Sequence, residues 1–127
     1  MYQLSAALYT VATMNLTEIE KEILRFSHLL DAGLAKLRET AQEYAAADVA
    51  YKRKYAEAFL RAEGAGIQRE QVAVAESLTE REAVKHLEGL NVAALEAVRS
   101  RRTQISALMT LAGAHRAEAE FARTGPR

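Results

Sequence analysis

Three histidines each have an acidic residue within one helical turn: His28 with Asp31, His86 with Glu82, and His115 with Glu118. Pairs of this type can hold a metal or shuttle a proton. Dimetal helical bundles, however, use a Glu-x-x-His on two helices plus further glutamates, and here the order is reversed or the spacing differs. His115 falls on an apolar stripe, where a satisfied core or interface histidine is the ordinary outcome. Gly64 and Gly66 lack the lysine-bearing pattern of a phosphate loop, and no nucleophile elbow appears. The reading is therefore of a non-enzyme, with no catalytic residue, metal site or cofactor.

The basic clusters have a different chemistry. Tyr51-Lys52-Arg53-Lys54-Tyr55 puts three cations in one turn beside two aromatics, and Arg61 follows on the same helix. Arg69 lies just beyond, and Arg99, Arg101 and Arg102 form a second knot. Cations for phosphates and flat rings for bases are what a single-strand binder uses. Charged residues on a helix also make an ordinary solvated face, where Lys54 can pair with Glu57 one turn on. Tyrosines at heptad spacing are ordinarily core, so Tyr51 and Tyr55 are either stacking or seam residues.

The bulk numbers narrow the class. The chain has 127 residues, no cysteine, and 17 basic against 17 acidic side chains. That length suits one domain. The missing cysteines exclude a disulfide scaffold and a thiolate zinc site, and they fit a reducing cytoplasm. A zero balance gives no global attraction to nucleic acid, so such binding must come from local clustering. Charge is in fact segregated: residues 1–50 hold four basic and seven acidic side chains. The most apolar stretch, Leu4 to Met14, is too short to span a membrane and lacks the basic start of a signal peptide. It reads as an N-terminal arm over 1–16, whose Leu4, Leu8, Tyr9 and Val11 are available to pack on a neighbour.

Two long helices position these groups. Thr17-Glu18-Ile19-Glu20 reads as a capping box. Apolar residues then recur at spacings of four and three from Ile19 through Ile23, Phe26, Leu30, Leu37, Tyr44, Tyr51, Tyr55 and Ala58. The Gly64–Gly66 pair ends this stripe, which places helix one over 17–63. Residues 64–78 read as a connector, with 67–78 compatible with either strand or helix. Thr79 to Glu82 reads as a second capping box opening helix two over 79–122. Its stripe runs through Val84, Leu87, Asn91, Leu95, Val98, Ile105, Leu108, Ala112 and His115. Residues 123–127 are expected to fray.

The expected fold is all-α: an elongated antiparallel helical hairpin with coiled-coil-like packing, in a single domain over 1–127. Such a pair buries only part of its apolar surface, and Tyr44, Tyr51, Tyr55 and Phe59 stay half exposed. Exposed apolar surface along that length marks an interface. Another copy is the simplest partner, so a homo-oligomer is expected.

Two segments resemble the UvsY-like phage recombination-mediator family. One runs from Tyr51 to Gly64, a basic–aromatic helix ending in a glycine break. The other runs from Leu95 to Ser106, a basic knot inside a late helix. With their helical context they cover roughly residues 50 to 120. The resemblance implies a small ring-forming protein without enzymatic activity that binds single-stranded DNA in the host cytoplasm. It implies help for a RecA-like recombinase in displacing single-strand-binding protein. The cations carried over are Lys52, Arg53, Lys54, Arg61, Arg99, Arg101 and Arg102. The competing expectation is a structural helical oligomerisation or scaffold protein of a phage, with no affinity for DNA.

Overall fold

The computed structural model describes residues 13–125. The expected N-terminal arm, with Leu4, Leu8, Tyr9 and Val11, lies almost wholly outside the described residues, as do the last two positions of the tail. The described chain is all-helical, with no strand, in three elements: α1 (Leu16–Arg61), α2 (Gly66–Glu76) and α3 (Leu78–Thr124). The residues group into two compact units, one from Met1–Gly33 with Val98–Arg127 and one spanning Leu34–Ala97.

The start of α1 lies slightly earlier than the Thr17 capping box predicts. Asn15 is the cap: its Oδ1 accepts the Glu18 N–H at 2.8 Å, and its amide donates to Glu18 Oε1 at 3.0 Å. Asparagine outranks threonine at an N-cap, and Glu18 stands three residues on, where the reciprocal contact can close. Thr17 is simply inside the first turn.

In the first unit α1 and α3 pack antiparallel. Ile19, Leu108 and Ala112 are buried together, with Met14, Leu16, Ile23, Phe26 and Leu111 packed against them. Arg116 donates to Glu20 at 3.1 Å across the same pair. Further along, a Cβ on Gly33 would lie 3.5 Å from Val98 Cγ2, so the backbone of α1 approaches the buried Val98 closely. The ends of the contacts run opposite ways, Glu20 to Arg116 and Gly33 to Val98, which fixes the antiparallel sense.

In the second unit the buried positions are small: Thr40, Ala58, Ala73 and Ser77. Small side chains let helix backbones approach but bury little apolar area. Thr40 Oγ1 of α1 lies 3.0 Å from both its own Leu37 carbonyl and Asn91 Oδ1 of α3. The hydroxyl has one proton and serves one acceptor at a time. This polar pair pins the register of α1 on α3, as buried polar residues do in coiled coils.

The stretch compatible with either strand or helix is helix α2. It opens after Gly64, whose φ of +106° suits glycine. Gln68 Oε1 accepts the Ala65 N–H at 3.1 Å, and Arg69 Nε donates to the Gly64 carbonyl at 3.2 Å. Arg61 of α1 pairs with Glu76 of α2, and Ala73 is fully buried. The helical course is broken for one residue at Ser77. Its buried hydroxyl donates to the Ala73 carbonyl at 2.6 Å, which its own N–H also reaches at 3.0 Å. A serine bonded back to the preceding turn competes with the helix ladder. The Ser77 carbonyl accepts the Arg81 N–H, so α3 resumes at Leu78 and the expected Thr79 cap lies inside it.

The tail also differs from expectation. α3 continues to Thr124, held by the Arg123–Glu120 ion pair at 2.6 Å. It stops at Gly125, whose φ of +69° is the left-handed conformation of a helix-terminating glycine.

Candidate nucleic-acid interface

The Tyr51–Tyr55 segment sits on α1 in the second unit. Aromatics four apart on a helix stand one above another, and the structure extends this into a ladder. The Tyr51 and Tyr55 ring centroids are 6.3 Å apart and tilted by 49°, and the Tyr55 and Phe59 rings are 6.5 Å apart and stacked at 16°. All three are half-buried. They lie on the side of α1 that carries buried Thr40 and Ala58, so seam packing accounts for their position while part of each ring stays accessible.

The neighbouring cations fan around the helix, because residues one apart do not face each other. Lys52 is exposed and its ammonium sits 2.9 Å from Asp48 Oδ2. The hydrogen bond to Asp48, reinforced by its charge, raises the Lys52 pKa above the usual 10.5. Lys54 is half-buried, turned toward the seam side. Arg61 is exposed but engaged by Glu76. Arg53 is exposed and, among the described residues, has no ion pair or hydrogen bond.

Arg99, Arg101 and Arg102 lie on α3 in the first unit. Arg101 is half-buried, its guanidinium 5.3 Å from the Phe26 ring centroid and donating to Gln104 at 3.1 Å. Arg25 lies 4.6 Å from the same ring, so Phe26 attracts two guanidinium groups through its π-face. Arg25 is itself held by three hydrogen bonds to Glu22. Those bonds push the Glu22 carboxyl below its usual 4.5 and the Arg25 guanidinium up. Arg101 therefore joins α3 to α1. Arg99 and Arg102 are exposed. Arg102 lines a shallow groove of about 430 Å³ together with Leu30, Ile105, Ser106, Met109 and Thr110.

The seven cations thus divide. Lys52, Arg53, Lys54 and Arg61 belong to one unit, and Arg99, Arg101 and Arg102 to the other. The i,i+4 pairing of Lys52 with Asp48 is legible in the sequence. The Arg61–Glu76 pair and the seating of Arg101 on Phe26 join distant positions and are not. Among the described residues, no group of three or more His, Asp or Glu side chains could hold a metal ion, and no helix is long and apolar enough to cross a membrane. His115 is half-buried, as its place on the stripe predicts, whereas His28 and His86 are exposed. No protein-family model, no curated protein and no solved structure matches this chain.

Proposed function

We propose that this chain binds single-stranded DNA as a homo-oligomer and acts as a recombination mediator, helping a RecA-like recombinase to replace single-strand-binding protein. The observation that carries the reading is on α1: exposed Lys52, one turn before Tyr55, flanks the half-accessible Tyr51–Tyr55–Phe59 ladder, and Arg53 stands exposed on the opposite side of the same helix. A cation for the backbone next to rings for the bases is the minimal single-strand platform. Exposed Arg99 and Arg102 supply further phosphate contacts. The measurement is fluorescence anisotropy of a labelled oligo-dT titrated at low and moderate salt. Binding should fall steeply as salt rises, because each neutralised phosphate releases counterions. Arg99→Ala with Arg102→Ala should weaken it and flatten the salt slope. An absence of binding at low salt removes the reading.

A second reading, a structural helical assembly without DNA affinity, is favoured by the apolar surface. Leu24, Leu60, Ile67, Met109 and Phe121 are all at least 60% exposed, whereas a monomer normally keeps such side chains scattered or covered. The same titration separates the two readings, since an assembly module would form the oligomer and leave oligo-dT free.

A further inference from the structure

Across α1 of the second unit, the cations sort by what already holds them. Lys36 pairs with Glu39 at 3.6 Å, Lys52 with Asp48, and Arg61 with Glu76. Two exposed arginines remain, Arg38 and Arg53, and among the described residues neither has an ion pair or hydrogen bond. Arg38 belongs to no basic cluster in the sequence, so only the structure brings it forward.

The two share one face. At about 100° per residue, Ala35, Arg38, Gln42, Ala45, Val49, Arg53, Ala56 and Leu60 fall along a single stripe of α1. That stripe lies opposite the side bearing buried Thr40 and Ala58. Every one of these residues is exposed, Val49 at 54% and Leu60 at 76%. Between Ala35 and Leu60 the stripe has no carboxylate on its line: Glu39, Glu43, Asp48 and Glu57 lie to its sides, Glu57 one turn from Arg53, and Asp31 lies on the line one turn before Ala35. An outward helix face ordinarily mixes both signs of charge. This one offers two unneutralised guanidinium groups, about 22 Å apart at ~1.5 Å per residue, with the neutral hydrogen-bonding Gln42 and exposed apolar side chains between them.

We propose that this outward stripe of α1, anchored by Arg38 and Arg53, is a track for the backbone of a single-stranded nucleic acid. The assignment rests on the single-strand reading above and extends it to a residue, Arg38, outside both basic clusters. A polyanion is the partner that the charge selects: the stripe carries cations only, and guanidinium forks match phosphate oxygens in geometry. The 22 Å span covers several nucleotides, and exposed Val49 and Leu60 give sugars and bases apolar surface to lie on. The half-accessible ring ladder occupies another side of the same helix. A strand held at Arg53 therefore has two ways to proceed, along the stripe or around to the rings, and Arg38 distinguishes them.

The test uses the full chain and labelled oligo-dT, titrated at several salt concentrations, with far-UV circular dichroism and light scattering on every variant. Arg38→Ala should lower affinity at low salt about fivefold and make the salt slope shallower by about 0.7, the loss of one single-strand phosphate contact. Arg38→Lys should restore the slope, since it keeps the charge. Lys36→Ala removes a cation from the same turn but off the stripe, and should change neither quantity. If wild type binds and Arg38→Ala leaves affinity and slope unaltered, the track is wrong while the single-strand reading stands. If Lys36→Ala weakens binding as much as Arg38→Ala, the effect is diffuse charge and the track is again wrong. A change of molecular mass in Arg38→Ala would make the stripe a contact between copies, and displacement of oligo-dT by poly-glutamate at equal charge would make it a site for acidic protein; either result overturns it. Failure of the wild type to bind at all removes the parent reading.

Discussion

Glu22 and Arg25 show how much a single exposed pair can reveal. The carboxyl accepts three hydrogen bonds from the guanidinium at 2.7–3.2 Å, and these hold its pKa below 4.5. A group whose folded pKa is depressed stabilises the fold above its unfolded value and loses that contribution as pH falls through the folded value. Glu22→Gln should therefore melt below wild type at neutral pH, and the gap should close on acidification past 4.5. Thermal melts of both proteins between pH 7 and 2 check this; a gap that persists at pH 2 would assign the difference to packing on Phe26 instead. Lys52 has the opposite sign. Its raised pKa means that the pair with ionised Asp48 is still in place at neutral and mildly alkaline pH, and on the alkaline side the contribution fades only as pH rises through the folded value. Solvent screens both pairs, so each effect is small. At this scale the sequence names the cations but not their occupancy. A partner four residues away can be read from spacing, whereas Glu76 for Arg61 and Phe26 for Arg101 depend on which helices meet. Arg38 is invisible to a search for clusters because its neighbours in sequence are not basic.

Helix α2 is the element on which sequence and structure part most clearly. Gln71 to Glu76 alternates weakly and is also rich in alanine, so local pattern cannot choose between strand and helix. The choice is made by contacts from elsewhere: Ala73 is wholly buried and Glu76 meets Arg61. The long stripes of α1 and α3 are legible because a four-three period repeats over many turns, and their buried positions fall on it except Thr40, which is buried where the period points to exposed Ala41. The cap of α1 is Asn15, two residues before Thr17, because asparagine is the stronger capping residue, and the break before α3 falls at Ser77, two residues before Thr79, where the serine bonds backward. The glycine break holds up differently at its two positions. Gly64 has φ of +106°, whereas a Cβ on Gly66 would meet nothing within 4 Å. Gly64→Ala should thus cost about 1–2 kcal/mol, while Gly66→Ala should be near neutral or slightly stabilising. Denaturant melts of the two variants compare them directly; an equal loss in both would mean that chain flexibility, not backbone sign, matters at this junction.

Taken whole, the molecule keeps unusually few large side chains from water. Ile19, Val98 and Leu108 are the large apolar residues buried among the described positions, and alanines make up the remaining apolar core. Burial on this scale is modest support for a chain of this length, which is why a partner copy is expected to complete it. Leu30 and Leu37 are half-buried on the α1 stripe. A charge at either, Leu30→Asp or Leu37→Asp, should lower both the mass measured by light scattering and the melting temperature, and the melting temperature should rise with protein concentration in wild type. An unchanged mass, with a wild-type melting temperature independent of concentration, would remove the homo-oligomer reading. The ring ladder has one more consequence. The chain has no tryptophan and five tyrosines, and three of these, Tyr44, Tyr51 and Tyr55, lie half-buried on α1 within the Leu34–Ala97 unit. With Tyr2 and Tyr9 replaced by phenylalanine, intrinsic ultraviolet emission would report on that unit alone without any added label, whereas the peptide signal averages over both. Recording the two through one thermal ramp would tell whether the units come apart together or in turn.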